Sequence, residues 1–411
     1  MNIGQGYHLT YCTNIHPGET WAEVFETLRN YVLPIKAELS PDKPFGIGLR
    51  LSNQASQDLS TAHHLAEFKT WLDQHGLYIF TMNGFPYGGF HGQVVKDTVY
   101  KPDWTTPERL EYTQRLSRLL AVLLPEGLEG GISTSPLSYK PWLAGDATQT
   151  QATFEQSSKH LGMLVETLYH LQRETGRTIH IDIEPEPDCL LENTAELIDY
   201  YQNWLLPVGS DYLGTRLGLS PELAEQAIRK HIQVCYDVCH FALEYEEPAV
   251  TFQQLAEAGI RIGKVQISAA LKAVLPANTA EREPIKNALQ PFIESTYLHQ
   301  VIVKNENGSL THYPDLPPAL PHINDPEARE WRTHFHVPIF INRYQQLEST
   351  QNDIKKVLAL LKENPITKHL EAETYTWGVL PPELKQELGH SIVRELAWVL
   401  QQWQKPTEHT P

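Results

Sequence analysis

Four apolar runs in the C-terminal half of the chain bring carboxylates or imidazoles to the place where a β-strand should end: HIDIEPEP from His180, YDVCH from Tyr236, HFHVPIF from His334 and EAETYTW from Glu371. Oxygen and imidazole ligands converging from separate strand ends make a site for a divalent cation. Period-two alternation gives the directions. Ile179, Ile181 and Ile183 share one face, which suits packing under outer helices, while His180, Asp182 and Glu184 share the other. The same logic turns Arg50, Asn83, Asp237, Gln266, Glu371 and Glu373 inward. So many buried polar groups need partners, because an unpaired buried charge costs several kcal/mol or shifts its pKa.

Each position also has a plainer reading. Glu184 and Glu186 fit loop-edge acids in a Pro-rich turn, and Asp237 fits an ion pair with Arg50 or Lys264. His240, three residues after Asp237, suits a ligand, a substrate contact or a cap of the next segment. His334 and His336 alternate onto one face, although Pro338 marks an edge or a loop. Glu373 lies nearer its strand's C-terminal end than Glu371, which makes Glu373 the preferred ligand and Glu371 an ion-pair or supporting residue. NGFPYGGFHG, from Asn83 to Gly92, has the glycines and aromatics of a loop that closes over a small ligand, or of an ordinary turn.

Composition narrows the field. The 411 residues are 41% hydrophobic and 20% charged, enough for a large core. A formal charge of -17 repels phosphate backbones, and there is no compact basic run, so nucleic acid is excluded as an expected partner. No apolar run reaches the roughly 18 residues a membrane span needs, and the first residues lack a signal-peptide pattern, so the expected location is the cytoplasm. Cys12, Cys189, Cys235 and Cys239 show no CxxC spacing, which predicts reduced, buried thiols. There is no GxxxxGK[ST], GxGxxG or HExxH motif.

Positioning elements come next. Strand-like runs at 8–12, 45–52, 78–84, 128–137, 178–185, 232–240, 261–270 and 369–377 alternate with helical stretches. Among these are 21–39, with a Thr20–Glu23 capping box, and 107–124, with Pro107 at the first helical position. Eight βα units without reversal predict an α/β fold, a single (β/α)8 TIM barrel over residues 1–404, rather than an open doubly wound sheet. An insertion after strand seven, at about 271–340, breaks the rhythm. Its Asn307-Gly308 pair marks a hairpin, and its place predicts that it caps the catalytic face. Residues 405–411 read as a disordered tail.

On this frame the strand ends resemble those of the xylose isomerase-like superfamily of sugar isomerases and epimerases. The resemblance implies one divalent metal (Mn, Mg, Co or Zn) held by Glu on strand five, Asp on strand six, His on strand seven and Glu on strand eight. Glu184, Asp237 and Glu373 match three of these, and Asp237-x-x-His240 matches a signature whose His contacts substrate. Strand seven offers Gln266 where His is expected, so the fourth ligand is Gln266 or a histidine of the insertion, His336 or His334. We take His336 as the ligand, with His240, Gln266, His334, Arg50 and Asn83 toward substrate. Over essentially the whole chain, HLTYCTNIHPGETW, STSPLSYK, IDIEPEPDCLLENT, YDVCHFALEYE, HFHVPIF and ETYTW resemble the metabolite traffic protein EboE family. That resemblance implies a role in moving a biosynthetic precursor, and association with other proteins of the same operon.

These readings lead to a metal-dependent isomerase or epimerase-like enzyme acting on a small hydroxy-carbonyl metabolite. In it, Glu184 and Glu373 exchange a substrate proton and His240 orients the substrate. A non-catalytic carrier barrel is the alternative. A metal-dependent phosphoesterase comes third, since early strands offer Arg50 and Asn83 in place of extra histidines.

Overall fold

The computed structural model describes residues 1–406. Seven strands appear in order: β1 (His8–Tyr11), β2 (Phe45–Arg50), β3 (Leu77–Asn83), β4 (Gly130–Thr134), β5 (Ile179–Ile183), β6 (Ile232–Asp237) and β7 (Ile262–Ile267). Six more follow: β8 (Ala270–Val274), β9 (Val301–Asn305), β10 (Leu310–Tyr313), β11 (Ala328–His336), β12 (Arg343–Tyr344) and β13 (Leu347–Ser349). The last is β14 (His369–Ala372). Strands β1 to β7 and β14 form one all-parallel sheet in the order β1-β14-β7-β6-β5-β4-β3-β2, so β14 takes the place of the eighth barrel strand. The expected TIM barrel is therefore the observed fold.

The barrel closes between β1 and β2 largely through side chains. Backbone pairing there is a single bridge, Cys12 to Gly48. Thr10 Oγ1 donates to Gly46 O at 2.8 Å and accepts from Gly48 N at 3.0 Å, while Thr13 Oγ1 accepts from Arg50 N at 2.8 Å. These hydroxyls satisfy backbone groups that a ladder would otherwise pair.

Helices follow the strands as the sequence predicts, with corrections at the ends. Thr20 and Glu23 form the capping box of helix Trp21–Leu39. Helix Ala62–His75 is capped by Thr61, whose hydroxyl accepts from His64 N, and Gly76 ends it in the left-handed conformation. A short helix, Asn53–Leu59, precedes it, capped by Ser52. The expected strand 232–240 stops at Asp237, whose carboxylate caps a helix over Val238–Leu243, so His240 is helical. The closing helix begins at Leu388 and ends at Gln404, and 407–411 of the expected tail lie outside the described residues.

Between β7 and β14 the chain builds a second, antiparallel sheet in the order β10-β9-β11-β8-β13-β12. It runs from Ala270 to Ser349, wider than the 271–340 expected, because β8 and β13 flank the segment and pair with each other. The β9–β10 hairpin turns at Asn307-Gly308, with Gly308 at φ +83°. Strand β11 lies between β8 and β9, so Pro338 sits beyond a central strand rather than on an edge.

Outward side chains such as Ile179, Ile181 and Ile183 pack into one continuous apolar core beneath the helices. The barrel axis is polar instead. Toward the N-terminal ends of the strands, His180 Nδ1 pairs with Asp182 Oδ1 at 2.6 Å, and His8 meets Tyr78 Oη at 2.7 Å. Farther along, Lys264 Nζ lies 2.5 Å from Glu371 Oε2, both fully buried. Burial alone would lower the lysine, but the Glu371 carboxylate holds it above its ordinary value. Glycines make the room. A Cβ on Gly48 would stand 1.7 Å from Glu371 Oε1, and one on Gly263 1.9 Å from Asp182 Oδ1.

Removing one member of a buried ion pair leaves the other charge uncompensated. Lys264→Met is expected to lose about 3–5 kcal/mol of stability, with Lys264→Met/Glu371→Leu recovering most of it. Urea unfolding checks this, and equal losses in the single and double variants would contradict the pairing.

Candidate metal centre

Glu184 and Glu373 each sit one step past a strand whose ladder continues through them. Glu184 N donates to Thr134 O at 3.0 Å, and Glu373 N to Ile267 O at 3.1 Å. The backbone thus sets where both side chains leave the barrel rim. Asp237, at the end of β6, is fixed differently. Its Oδ1 accepts from Cys239 N at 2.8 Å, His240 N at 3.2 Å and Ser268 Oγ at 2.6 Å.

Those bonds leave a second atom free. Among the described residues, Asp237 Oδ2 and Glu184 Oε2 are buried without a hydrogen-bond partner. Glu373 Oε1 accepts from Asn14 Nδ2 at 2.8 Å and Asn83 Nδ2 at 3.1 Å, and Asn83 is oriented by accepting from Phe85 N at 3.0 Å. Ligand atoms of Glu184, Asp237 and Glu373 lie within 4.8 Å of one another.

His336, at the end of β11, joins Asp237 and His240 in a second such group. Its Nδ1 donates to Glu373 O at 2.9 Å, so the neutral ring carries its lone pair on Nε2, a buried atom with no partner among the described residues. Burial lowers this imidazole to about 4, which keeps it neutral near pH 7. A neutral histidine anchored through one nitrogen and free at the other is the form that binds metals.

His240 and His334 form a pair beside it. His240 Nδ1 donates to Pro185 O at 3.0 Å, and His334 Nδ1 to Gln300 Oε1 at 2.8 Å. Gln300 is held in that orientation by donating to Pro187 O at 3.2 Å. The two rings therefore present Nε2 to each other at 3.1 Å, and burial, with the neighbouring imidazoles, holds His334 well below the usual histidine range. Glu186 stands near both rings and accepts from Tyr100 Oη at 2.9 Å; burial pushes its carboxyl up to about 7.

Three carboxylates in one buried space repel one another. Burial first, then the Glu373 and Asp237 carboxylates, hold Glu184 well above the ordinary carboxyl range, and burial, then Asp237 and Glu371, do the same for Glu373. Burial would raise Asp237 too, but the neighbouring imidazoles and the Ser268 and backbone hydrogen bonds keep it below its ordinary value. The centre accepts protons, or a cation that replaces them.

A cavity of about 540 Å³, counting its open mouth, lies over this floor. Asn14, Asn83, Glu184, Glu186, His240, His334 and Glu373 line it, with aromatics of the loop after β3 and of the inserted sheet. Two residues expected near substrate lie elsewhere. Arg50 is bound by Gly18 O, Glu19 and Gly88 O, where it fastens two loops. Gln266 accepts from Cys235 Sγ at 2.8 Å and pairs in register with Glu371, and neither it nor Arg50 lines the cavity. Lys264 is taken by Glu371, so Asp237 has no lysine partner. Asn14, Ser268, Gln300 and Tyr375 were not among the expected residues, since nothing in their local spacing marks them.

No protein-family model matches the sequence, and neither does any curated protein sequence. Solved structures do match in shape. A xylose isomerase-like TIM barrel protein from Mycobacterium smegmatis, determined in complex with magnesium, gives a TM-score of 0.51 at 10% identity, covering 97% of this chain and 96% of that one. The IOLI protein with a bound zinc atom gives 0.47 at 10% identity over 96% and 98%. A probable 3-DHS dehydratase, AsbF, from Bacillus anthracis gives 0.44 at 12% over 95% and 98%. The fold is that of the xylose isomerase-like TIM barrels.

Proposed function

We propose that the chain is a metal-dependent isomerase or epimerase-like enzyme acting on a small hydroxy-carbonyl metabolite. One observation carries the reading: Asp237 is shared by two buried groups of ligand atoms, one with Glu184 and Glu373 and one with His336 and His240, and Glu184, Asp237 and His336 each keep an unpartnered ligand atom. Glu184, Asp237, Glu373 and His336 would hold the ion. Three carboxylate oxygens and one imidazole nitrogen suit Mn, Mg, Co or Zn. When bound, such an ion polarises carbonyl and hydroxyl oxygens and eases removal of the adjacent proton.

The protein's own groups do the rest. Glu184 and Glu373 remove a substrate proton and return it, and Asn14 and Asn83 keep Glu373 aimed by holding Oε1. His240 and His334, each held through Nδ1, present Nε2 to substrate hydroxyls. The aromatic cover excludes water, which strengthens every charge interaction beneath it. The stretches that resemble the EboE family suggest metabolite traffic as the setting, with the substrate a precursor to be moved on.

Calorimetric titration of the chelator-treated protein with Mn(II) is expected to show one tight ion per chain. Asp237→Asn or His336→Ala should weaken it by about 10- to 100-fold or more, and unchanged affinity in either would remove that residue from the centre.

The pH dependence has a definite sign. Glu184 and Glu373 keep protons in the folded state above the ordinary 4.5, where the unfolded chain has lost them. The native state then binds more of these protons, so their contribution to metal-free stability falls as pH rises from about 4.5 through their folded values. Buried histidines held below their ordinary value act in the opposite sense, so the comparison is with Glu184→Gln/Glu373→Gln: without metal, differential scanning calorimetry should show the wild-type Tm falling relative to the variant's between pH 5.5 and pH 8, and Mn(II) should raise the wild-type Tm more at pH 8. The opposite order would contradict the repulsion.

Catalysis is read by NMR in D2O with metal-loaded protein and a panel of ketoses and hydroxyketones. Exchange of a carbon-bound proton is expected for at least one compound and should disappear in Glu184→Gln and Glu373→Gln. Tight binding with no exchange in the wild type would favour the carrier alternative.

A further inference from the structure

The metal centre forms only one end of the cavity; the other end has a different chemistry. Its wall comes from the loop after β3, with Phe85, Phe90, Val95 and Val99, and from Leu298 of the insertion. The two parts are clamped together. Val95 N and Lys96 N donate to Thr296 O at 2.8 and 2.9 Å, and Tyr297 Oη donates to Phe90 O at 3.0 Å. Phe90 packs on Tyr297 and Tyr375 at centroid distances of 5.2 and 5.6 Å.

Polar atoms of this outer wall are already committed. Lys96 Nζ donates to Tyr297 O at 2.6 Å and pairs with Asp315 at 2.7 Å. Tyr100 Oη is used by Glu186, and Tyr297 Oη by Phe90 O. Among the described residues, the cavity's tyrosines include one hydroxyl without a protein partner, that of Tyr375. Its ring lies 4.6 Å from that of His336, toward the metal end. The unpartnered atoms, Glu184 Oε2 and Asn14 Oδ1, are at the floor. Aromatic faces do receive the C–H face of a sugar, but hydroxyls along the edge of a polyol still need partners, and a buried hydroxyl without one loses its bonds to water.

We propose that the substrate carries its hydroxy-carbonyl group at one end of an apolar, aromatic-sized body, and that the site selects this class over linear polyhydroxylated sugars. The inference rests on the metal reading of the floor and adds the identity of the distal part. Phe85 and Phe90 form the specificity wall, against which the body of the substrate leaves water.

Two probes with the same metal-binding head separate the classes: benzohydroxamate, with an aromatic body, and D-threonohydroxamate, with a polyol body. Each is titrated calorimetrically into the full chain after Mn(II) binding has been measured in the same cell. Benzohydroxamate is expected to bind at least about tenfold more tightly. In Phe90→Ala, with Mn(II) affinity retained, that preference should shrink to about threefold or less. Equal affinity on a loaded site, or preference for D-threonohydroxamate, would overturn the substrate class while leaving the metal reading in place. Failure of Mn(II) to bind in the first step would overturn the metal reading and this inference together.

Discussion

Glu184, Asp237 and Glu373 cannot all be ionised in one buried space unless something positive joins them, and much of the fold serves to keep them there. Two are pinned by barrel ladders that run one residue past the strand, and the third by a helix cap and Ser268. Hydrogen bonds to the carboxylate fix Asp237 and Glu373, the backbone alone sets Glu184, and among the described residues Asp237 Oδ2 and Glu184 Oε2 have no partner. An arrangement of orphaned, like-charged atoms lowers stability in the metal-free state, and recovers it when a cation binds the native state but not the unfolded chain.

The barrel alone does not complete this site. β7 brings Gln266, which is occupied by Cys235 below the rim. The inserted sheet supplies the imidazole instead, from the end of its central strand β11, and hooks it back to the Glu373 carbonyl. That strand also brings His334 against His240, and the same segment meets the loop after β3 to form the aromatic cover. One insertion therefore supplies a candidate ligand, one member of the histidine pair and part of the cavity's apolar end.

Much of this was legible in the sequence, and the reasons are specific. Alternation placed His180, Asp182 and Glu184 on the barrel side because β5 is regular, and distance from the strand end separated Glu371, which pairs with Lys264, from Glu373, which lines the cavity. It misread β6 beyond Asp237, because a carboxylate that caps a helix looks, in sequence, like one more inward strand residue. Arg50 and Gln266 lie on inward positions as expected, but inward is not enough: Arg50 is held by neighbours 31 to 38 residues away, and Gln266 Oε1 by Cys235 on the adjoining strand. Asn14, Ser268 and Gln300 were invisible for the same reason, being ordinary polar residues made specific by the carboxylate or imidazole they face. Lys264 was a candidate partner for Asp237, and only the register of β14 against β7 shows that Glu371 takes it.

The most direct test is anomalous diffraction from crystals of the Mn(II)-loaded protein, collected on both sides of the manganese absorption edge. One anomalous peak in contact with Glu184, Asp237, Glu373 and His336 Nε2 is the result this structure predicts. Crystals with no peak there at saturating Mn(II), or a peak that leaves Asp237 Oδ2 and His336 Nε2 unbound, would contradict it.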